Sequence, residues 1–377
     1  MTKNLIVCCD GTWNDPDELR DHIARPTNVA KLALTIASDV DGDATGQPRQ
    51  LMQYETGVGT STDERLIGGG FGYGLSRNIR SGYRFLAEHY DPGDRVYLFG
   101  FSRGAYTARS LAGLIHNCGI LRQECAGQVD AAFAFYRDRT NQTHPKTIAS
   151  HLFREMYSHA DSKVFFTGVW DTVGALGIPE QVPGWEELSK VFTGWEQMWG
   201  FHDTQLSPDV TFAYQALAID EQRPPYEPTL WMQDENAGDA QKLEQVWFAG
   251  VHSEIGGGTI DASLSDIPFL WMLDKARAAG VRLMPGQPHD GFPDLHVPVP
   301  APNYAAPIVQ SRRGPWQLLH PYHRLTERSV KSAPQQWIAS SADRRFREGV
   351  GGYSPQGFKE YRAAFETTPV SEGTPAS

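Results

Sequence analysis

Cysteine is scarce. The 377 residues hold four, two of them adjacent at Cys8 and Cys9 within an apolar run. Such a set supplies no disulfide framework, and the pair reads as small core residues of a protein kept in a reducing compartment. Long apolar stretches are missing as well. None reaches the roughly eighteen residues of a membrane-spanning helix. The about six residues between Lys3 and Asp10 are too few for the core of a secretory signal, so a cytoplasmic location is expected, with other routes of secretion left open. Basic residues number 34 against 45 acidic, a formal charge of −11, and no run of Lys and Arg breaks that balance. Nucleic acid is therefore not an expected partner. No Gly-Lys dipeptide occurs, which excludes a phosphate-binding P-loop. Metal-ligand spacing is also wanting: His320 and His323 lie in His-Pro-Tyr-His, with proline between them and no matching partner elsewhere. Neither metal nor cofactor is expected.

What remains is an ordinary globular composition, 40% hydrophobic and 21% charged. Short apolar runs, each ending in polar residues or glycine, cover residues 4–9, 50–55, 95–99, 163–170 and 246–251, with a sixth at 211–219. Helical patterns fill 76–90 and 105–117. Buried strands alternating with helices predict an α/β fold with a mostly parallel sheet and helices on both faces. A single domain over 1–366 is expected. It carries an irregular, cap-like insertion at about 178–208 and a less regular part over 285–366, followed by a disordered tail over 367–377.

The chemistry concentrates in the stretch Arg95-Val-Tyr-Leu-Phe-Gly100-Phe-Ser102-Arg-Gly104-Ala. An apolar strand, a Gly-x-Ser-x-Gly turn and a helix-forming run are the context of a nucleophile elbow, with Ser102 as nucleophile and Gly100 and Gly104 relieving the crowding of strand on helix. A serine hydroxyl needs a base, and the base needs an orienting carboxylate. His252 follows the apolar run 246–251 and precedes Gly256, Gly257 and Gly258, so a strand end and a glycine loop would present it. Two acids compete. Asp171 ends the run 163–170, and Asp220 ends 211–219 one strand later; Asp171 is preferred because Glu221, Gln222 and Arg223 beside Asp220 read as an exposed ionic cluster. For the oxyanion, the N–H of Arg103 is the first donor. The loop Asp10-Gly11-Thr12 after the first strand offers Gly11 and Thr12 as the second, with Asp10 holding the loop in shape. Trp185, Trp195 and Trp199 in the insertion would wall an acyl pocket.

These segments, together with Gly168-Val-Trp-Asp-Thr-Val-Gly and Trp247-Phe-Ala-Gly-Val-His-Ser-Glu-Ile-Gly-Gly-Gly258, resemble a family over about residues 3 to 280. It is the family, formerly a domain of unknown function, named for the catalytic domain of type VI secretion phospholipase effectors. The resemblance implies an α/β-hydrolase fold and a triad on Ser102, Asp171 and His252. It also implies hydrolysis of a carboxylic ester, lipid and phospholipid acyl esters included. Three other readings were open to the residues. A haloacid dehalogenase phosphatase would place Asp-Gly-Thr similarly but needs an aspartate where Cys8 stands. The run Gly68-Gly-Gly-Phe-Gly-Tyr-Gly74 lacks the dinucleotide fingerprint and reads as a loop flanking the active site. A catalytically silent hydrolase scaffold, acting as a binding or sensing protein, is the alternative to an enzyme.

Overall fold

In the computed structural model, which describes residues 2–11, 19–20, 23–38, 48–57, 70–138, 143–173, 205–234, 237–238, 240–287, 299–313, 316–317, 320–332 and 335–373, eight strands join in one sheet. They are β1 (Lys3–Cys9), β2 (Arg49–Glu55), β3 (Arg95–Phe101), β4 (Val164–Trp170), β5 (Val210–Ala218), β6 (Lys242–Phe248), β7 (Gln336–Ala339) and β8 (Glu366–Thr368). Their order is β8-β7-β6-β5-β4-β3-β1-β2, and every neighbouring pair is parallel. Parallel strands need crossovers, and the helices supply them: α1 (Asn28–Thr35), α2 (Gly70–His89), α3 (Arg103–Cys118), α4 (Val129–Arg137), α5 (Ile148–Tyr157), α6 (His252–Gly256), α7 (Asp266–Ala278), α8 (Glu327–Ser332), α9 (Ser340–Arg347) and α10 (Gln356–Tyr361). The α/β expectation holds.

Alternation along each strand sends side chains to two separate cores. Leu5, Val7 and Cys9 of β1 join Val96 and Leu98 under α2, α3 and α4. Ile6 and Cys8 join Tyr97, Phe99 and Trp170 on the opposite face, under α1 and α7. All of these are buried, which is why the strands read as continuous apolar runs rather than alternating ones. Burial also pushes the Cys8 and Cys9 thiols up, so both stay protonated as packing residues. The strand order reverses at β1, which pairs with β2 on one side and β3 on the other. A crevice opens outside the carboxyl ends of strands at such a reversal. Asp10 follows β1 there, and Ser102 follows β3.

Three expectations change. The glycine-rich stretch before residue 75 is helical from Gly70 onward, where it opens α2, instead of forming a loop. The part beyond 285 is more regular than its proline content predicts, because it returns to the sheet as β7 and β8, packs α9 against it and sets α10 on α9 through Phe358 and Phe346. The supposed disordered tail begins inside β8: Thr367 and Thr368 pair with Ile338 and Ala339, and Val370 N–H donates to Ser340 Oγ at 3.2 Å. Small polar residues suit a three-residue edge strand with one open side. The insertion at 178–208 lies outside the described residues up to 204, and with it Trp185, Trp195 and Trp199. Its described end, Gln205–Leu206, forms a two-stranded ribbon with Met232–Gln233. Among the described residues no helix is long and apolar enough to cross a membrane.

Phe358 on α10 is fully buried and lies 5.2 Å from the Phe346 ring, so the C-terminal part shares the main core. Phe358→Ala should cost about 3–5 kcal/mol in a urea denaturation of the whole chain. An unchanged midpoint would mean that residues beyond β6 do not belong to the cooperative unit.

Candidate active site

Ser102 occupies the sharp turn between β3 and α3, with φ 56° and ψ −120°. A side-chain-bearing residue there costs on the order of 1–3 kcal/mol, so its surroundings must hold it. Ser102 N–H donates to Trp170 O at 3.0 Å, and Tyr106 N–H donates to Ser102 O at 3.2 Å. The two glycines are sterically compelled. A Cβ on Gly100 would lie 2.3 Å from Gly104 O, and one on Gly104 would lie 2.1 Å from Cys9 O. Strand, turn and helix therefore touch backbone to backbone, which lifts the Ser102 hydroxyl to the carboxyl edge of the sheet, with the residue as a whole buried.

Beyond β6 the chain turns at Gly250, φ 127°, and His252 opens the short helix α6; the segment expected to be a glycine loop becomes irregular only at Gly257. His252 Nε2 lies 2.8 Å from Ser102 Oγ, and its Nδ1 lies 2.5 Å from Asp171 Oδ2. The imidazole sits against the Phe101 and Tyr226 rings, at 4.7 and 4.9 Å. Gly256 makes room for Phe101, since a Cβ there would meet that ring at 1.9 Å. Burial pushes the imidazole below its ordinary range, outweighing the Asp171 carboxylate that pulls it up. The neutral base form is thus the resting one at neutral pH.

Asp171 is fully buried, at φ 43° just past β4. Its backbone N–H donates to Ala216 O, and its Oδ1 accepts the Ala218 N–H at 3.0 Å, so β5 fixes its position. Arg324 spans both carboxylate oxygens, Nη1 to Oδ1 at 2.6 Å and Nη2 to Oδ2 at 3.0 Å. Burial alone would raise the carboxyl; the Arg324 charge and the His252 hydrogen bond outweigh it and hold the group well below the usual carboxylate range. Arg324 carries no signal of this role in the sequence, where it stands beside His323 in a stretch without periodicity. Among the described residues no group of three or more His, Cys, Asp or Glu could hold a metal ion.

Asp220 faces elsewhere: its Oδ2 accepts the Gly250 N–H at 2.7 Å and the Tyr353 hydroxyl at 3.0 Å. The neighbourhood of Asp220 differs from the exposed ionic cluster its composition predicts. Glu221 is fully buried, not part of an exposed cluster, and binds Arg223 through two side-chain bonds at 2.9 and 2.8 Å. Glu221 also accepts the His252 backbone N–H at 3.3 Å, so this acid supports His252 from behind.

At the end of β1, Asp10 does hold its loop. Its Oδ2 accepts the hydroxyls of Thr27, at 2.6 Å, and Tyr54, while its Oδ1 accepts the Gly11 N–H at 2.6 Å. That last bond occupies the N–H expected to face an oxyanion. Thr12 lies outside the described residues. Arg103, the other expected donor, opens α3 directly after Ser102, where backbone N–H groups lack helical partners.

An eight-stranded parallel sheet with a strained serine at the strand-to-helix turn defines an α/β-hydrolase fold. The chain belongs to the family described as T6SS, phospholipase effector Tle1-like, catalytic domain, whose model matches residues 3–275. An uncharacterized protein of Saccharomyces cerevisiae is 31% identical over 199 residues, covering 47% of this chain and 27% of that protein. Solved structures that are similar include the following two. One is an uncharacterized protein from Pseudomonas aeruginosa, 17% identical with a TM-score of 0.43, covering 79% of this chain and 48% of that one. The other is a Tle1 effector bound to the VgrG spike from the type 6 secretion system, 18% identical with a TM-score of 0.41, covering 68% and 51%. The chain spans about half the length of both structures and about a quarter of the yeast protein.

The buried acids divide by sign. Burial raises Glu221 and its bonds to Arg223 overturn that, to about 2. Glu221 and Asp171 therefore contribute stability that is complete above the unfolded carboxylate range near 4 and lost as pH falls through their folded values. Burial lifts Asp220 to about 7 and Asp10 to about 6. Each binds its proton more tightly folded than unfolded, so stability falls as pH rises from about 4 to about 7. The urea midpoint of Asp220→Asn, minus that of the wild type, should grow as pH rises across that window. Parallel slopes would remove Asp220 from the pH dependence.

Proposed function

We propose that the protein is a serine hydrolase that cleaves a carboxylic ester, a lipid or phospholipid acyl ester in keeping with its family, through an acyl-enzyme on Ser102. One observation carries the reading: an unbroken hydrogen-bonded chain from Ser102 Oγ through His252 to a buried, ionised Asp171, at the carboxyl edge of the sheet. In the first half-reaction His252 Nε2 takes the Ser102 proton as Oγ bonds to the acyl carbon, and the tetrahedral oxyanion forms. Collapse of that intermediate breaks the bond to the alcohol oxygen, which leaves with the proton from Nε2. Water then repeats the sequence, releasing the acid and restoring Ser102. Asp171 keeps Nδ1 protonated and stabilises the transient imidazolium. The Arg103 N–H, at the positive end of α3, serves the oxyanion. A second donor belongs to the loop after β1, from Thr12 or from Gly11 if it releases Asp10. Trp185, Trp195 and Trp199 are assigned to the acyl pocket on sequence grounds.

With p-nitrophenyl esters of graded chain length, Ser102→Ala should lose on the order of 10⁶ in turnover while remaining folded. His252→Ala should fall nearly as far. Asp171→Asn should fall less than either but more than Asp220→Asn. A Ser102→Ala protein that keeps a tenth of wild-type activity would exclude the mechanism, and an order of severity with Asp220 above Asp171 would reassign the acid.

A further inference from the structure

The family match ends at residue 275, yet the chain beyond it reaches back into the site. Between residues 309 and 324 three contacts from this segment meet the acids around His252. Val309 N–H donates to Glu254 Oε1 at 2.8 Å, the Ser311 hydroxyl donates to Glu221 Oε1 at 2.9 Å, and Arg324 grips Asp171. Each of those acids also serves the base or its neighbour: Glu254 accepts the Val251 N–H at 2.9 Å, Glu221 the His252 N–H, and Asp171 the His252 Nδ1–H.

We propose that Arg324, supplied from outside the family-matched residues, is a positioning residue that fixes both oxygens of Asp171 so that Oδ2 faces His252. This rests on the reading of Ser102, His252 and Asp171 as the reacting groups. The imidazole on Oδ2 and the Ala218 N–H on Oδ1 give the Asp171 carboxylate one neutral contact per oxygen. A planar guanidinium bonded to both oxygens adds a charge-assisted fork that holds the plane of the carboxylate against rotation about Cβ–Cγ. Arg324 is itself held by Ala218 O, at 3.1 Å, and by Tyr226 O, so the fork is aimed by β5 and by the turn that also carries the ring beside His252. Lysine, a point charge on a flexible stem, would keep the charge and lose the fork.

The guanidinium has a second effect on the base. The charged and titratable groups around His252 are Asp171, Arg324 and Glu221, with Tyr226 against its ring, Arg223 bound to Glu221 and stacked on Tyr226, Arg103 beside Ser102, and Glu254 two residues on. Burial is the largest influence and lowers the imidazole. The Asp171 and Glu221 charges raise it, and Arg324 lowers it. Removing the cation should therefore shift His252 upward, and the acid limb of the rate profile with it.

The test uses the full chain with p-nitrophenyl butyrate, together with NMR of the His252 imidazole. Arg324→Lys should stay folded, lose about 10–100-fold in kcat with little change in KM, and lose the downfield Nδ1–H proton resonance of the His252–Asp171 bond. Arg324→Gln should move the His252 titration and the acid limb upward. Should Arg324→Gln not fold, Arg324→Lys decides the matter alone. A folded Arg324→Lys with wild-type kcat and an intact downfield resonance would overturn the proposal, as would an Arg324→Gln titration coincident with wild type. If the wild type cleaves no ester, the serine hydrolase reading fails, but the resonance and the titration still decide what Arg324 does.

Discussion

A carboxylate without exposed surface stays ionised only if donors replace the water it has lost, and the site depends on how that is done at Asp171. The donors come from distant parts of the chain. Ala218 N–H belongs to β5, the imidazole follows β6, and the guanidinium arrives from beyond residue 320. None can move without leaving charge buried and uncompensated, so the requirement to satisfy one group locks three segments together. Because Oδ2 faces the imidazole, the same requirement orients His252 toward Ser102.

The opposite wall is set by sterics instead of charge. Gly104 brings the start of α3 against the backbone of Cys9 and Asp10, and Gly100 lets α3 fold back on β3. That crowding holds Ser102 in a conformation it would not adopt alone, and it brings the loop after β1 beside the Ser102 turn. Electrostatic satisfaction on one side and close backbone contact on the other leave the Ser102 hydroxyl and the Nε2 atom facing each other at 2.8 Å.

The sequence carries clear signals for the parts built from long buried strands. Runs such as 95–99 and 163–170 read correctly because both faces of those strands are covered, and Ser102 was recognisable from the glycines its turn demands. His252 was legible because it closes an apolar run and follows the end of β6 by four residues. Elements whose partners are remote were not. Arg324 lies 153 residues from Asp171, in a proline-rich stretch without periodicity, and its only signal was its neighbourhood to two histidines that drew attention elsewhere. β7 and β8 are four and three residues long and contain Gln336, Glu366, Thr367 and Thr368, so neither apolar length nor alternation marks them. Glu221 was misread because a Glu-Gln-Arg triplet has the composition of a surface, whereas its burial depends on Arg223, Ser311 and the His252 backbone folding around it.

The central claim is that Ser102 is the activated nucleophile, its proton taken by His252. The most direct measurement is mass-spectrometric mapping of the adduct formed by a fluorophosphonate on the native chain, alongside folded His252→Ala protein. The account predicts one phosphonylated peptide, carrying Ser102, whose formation nearly ceases in the His252→Ala protein. A folded wild-type protein that reacts at another residue, or not at all, would contradict it.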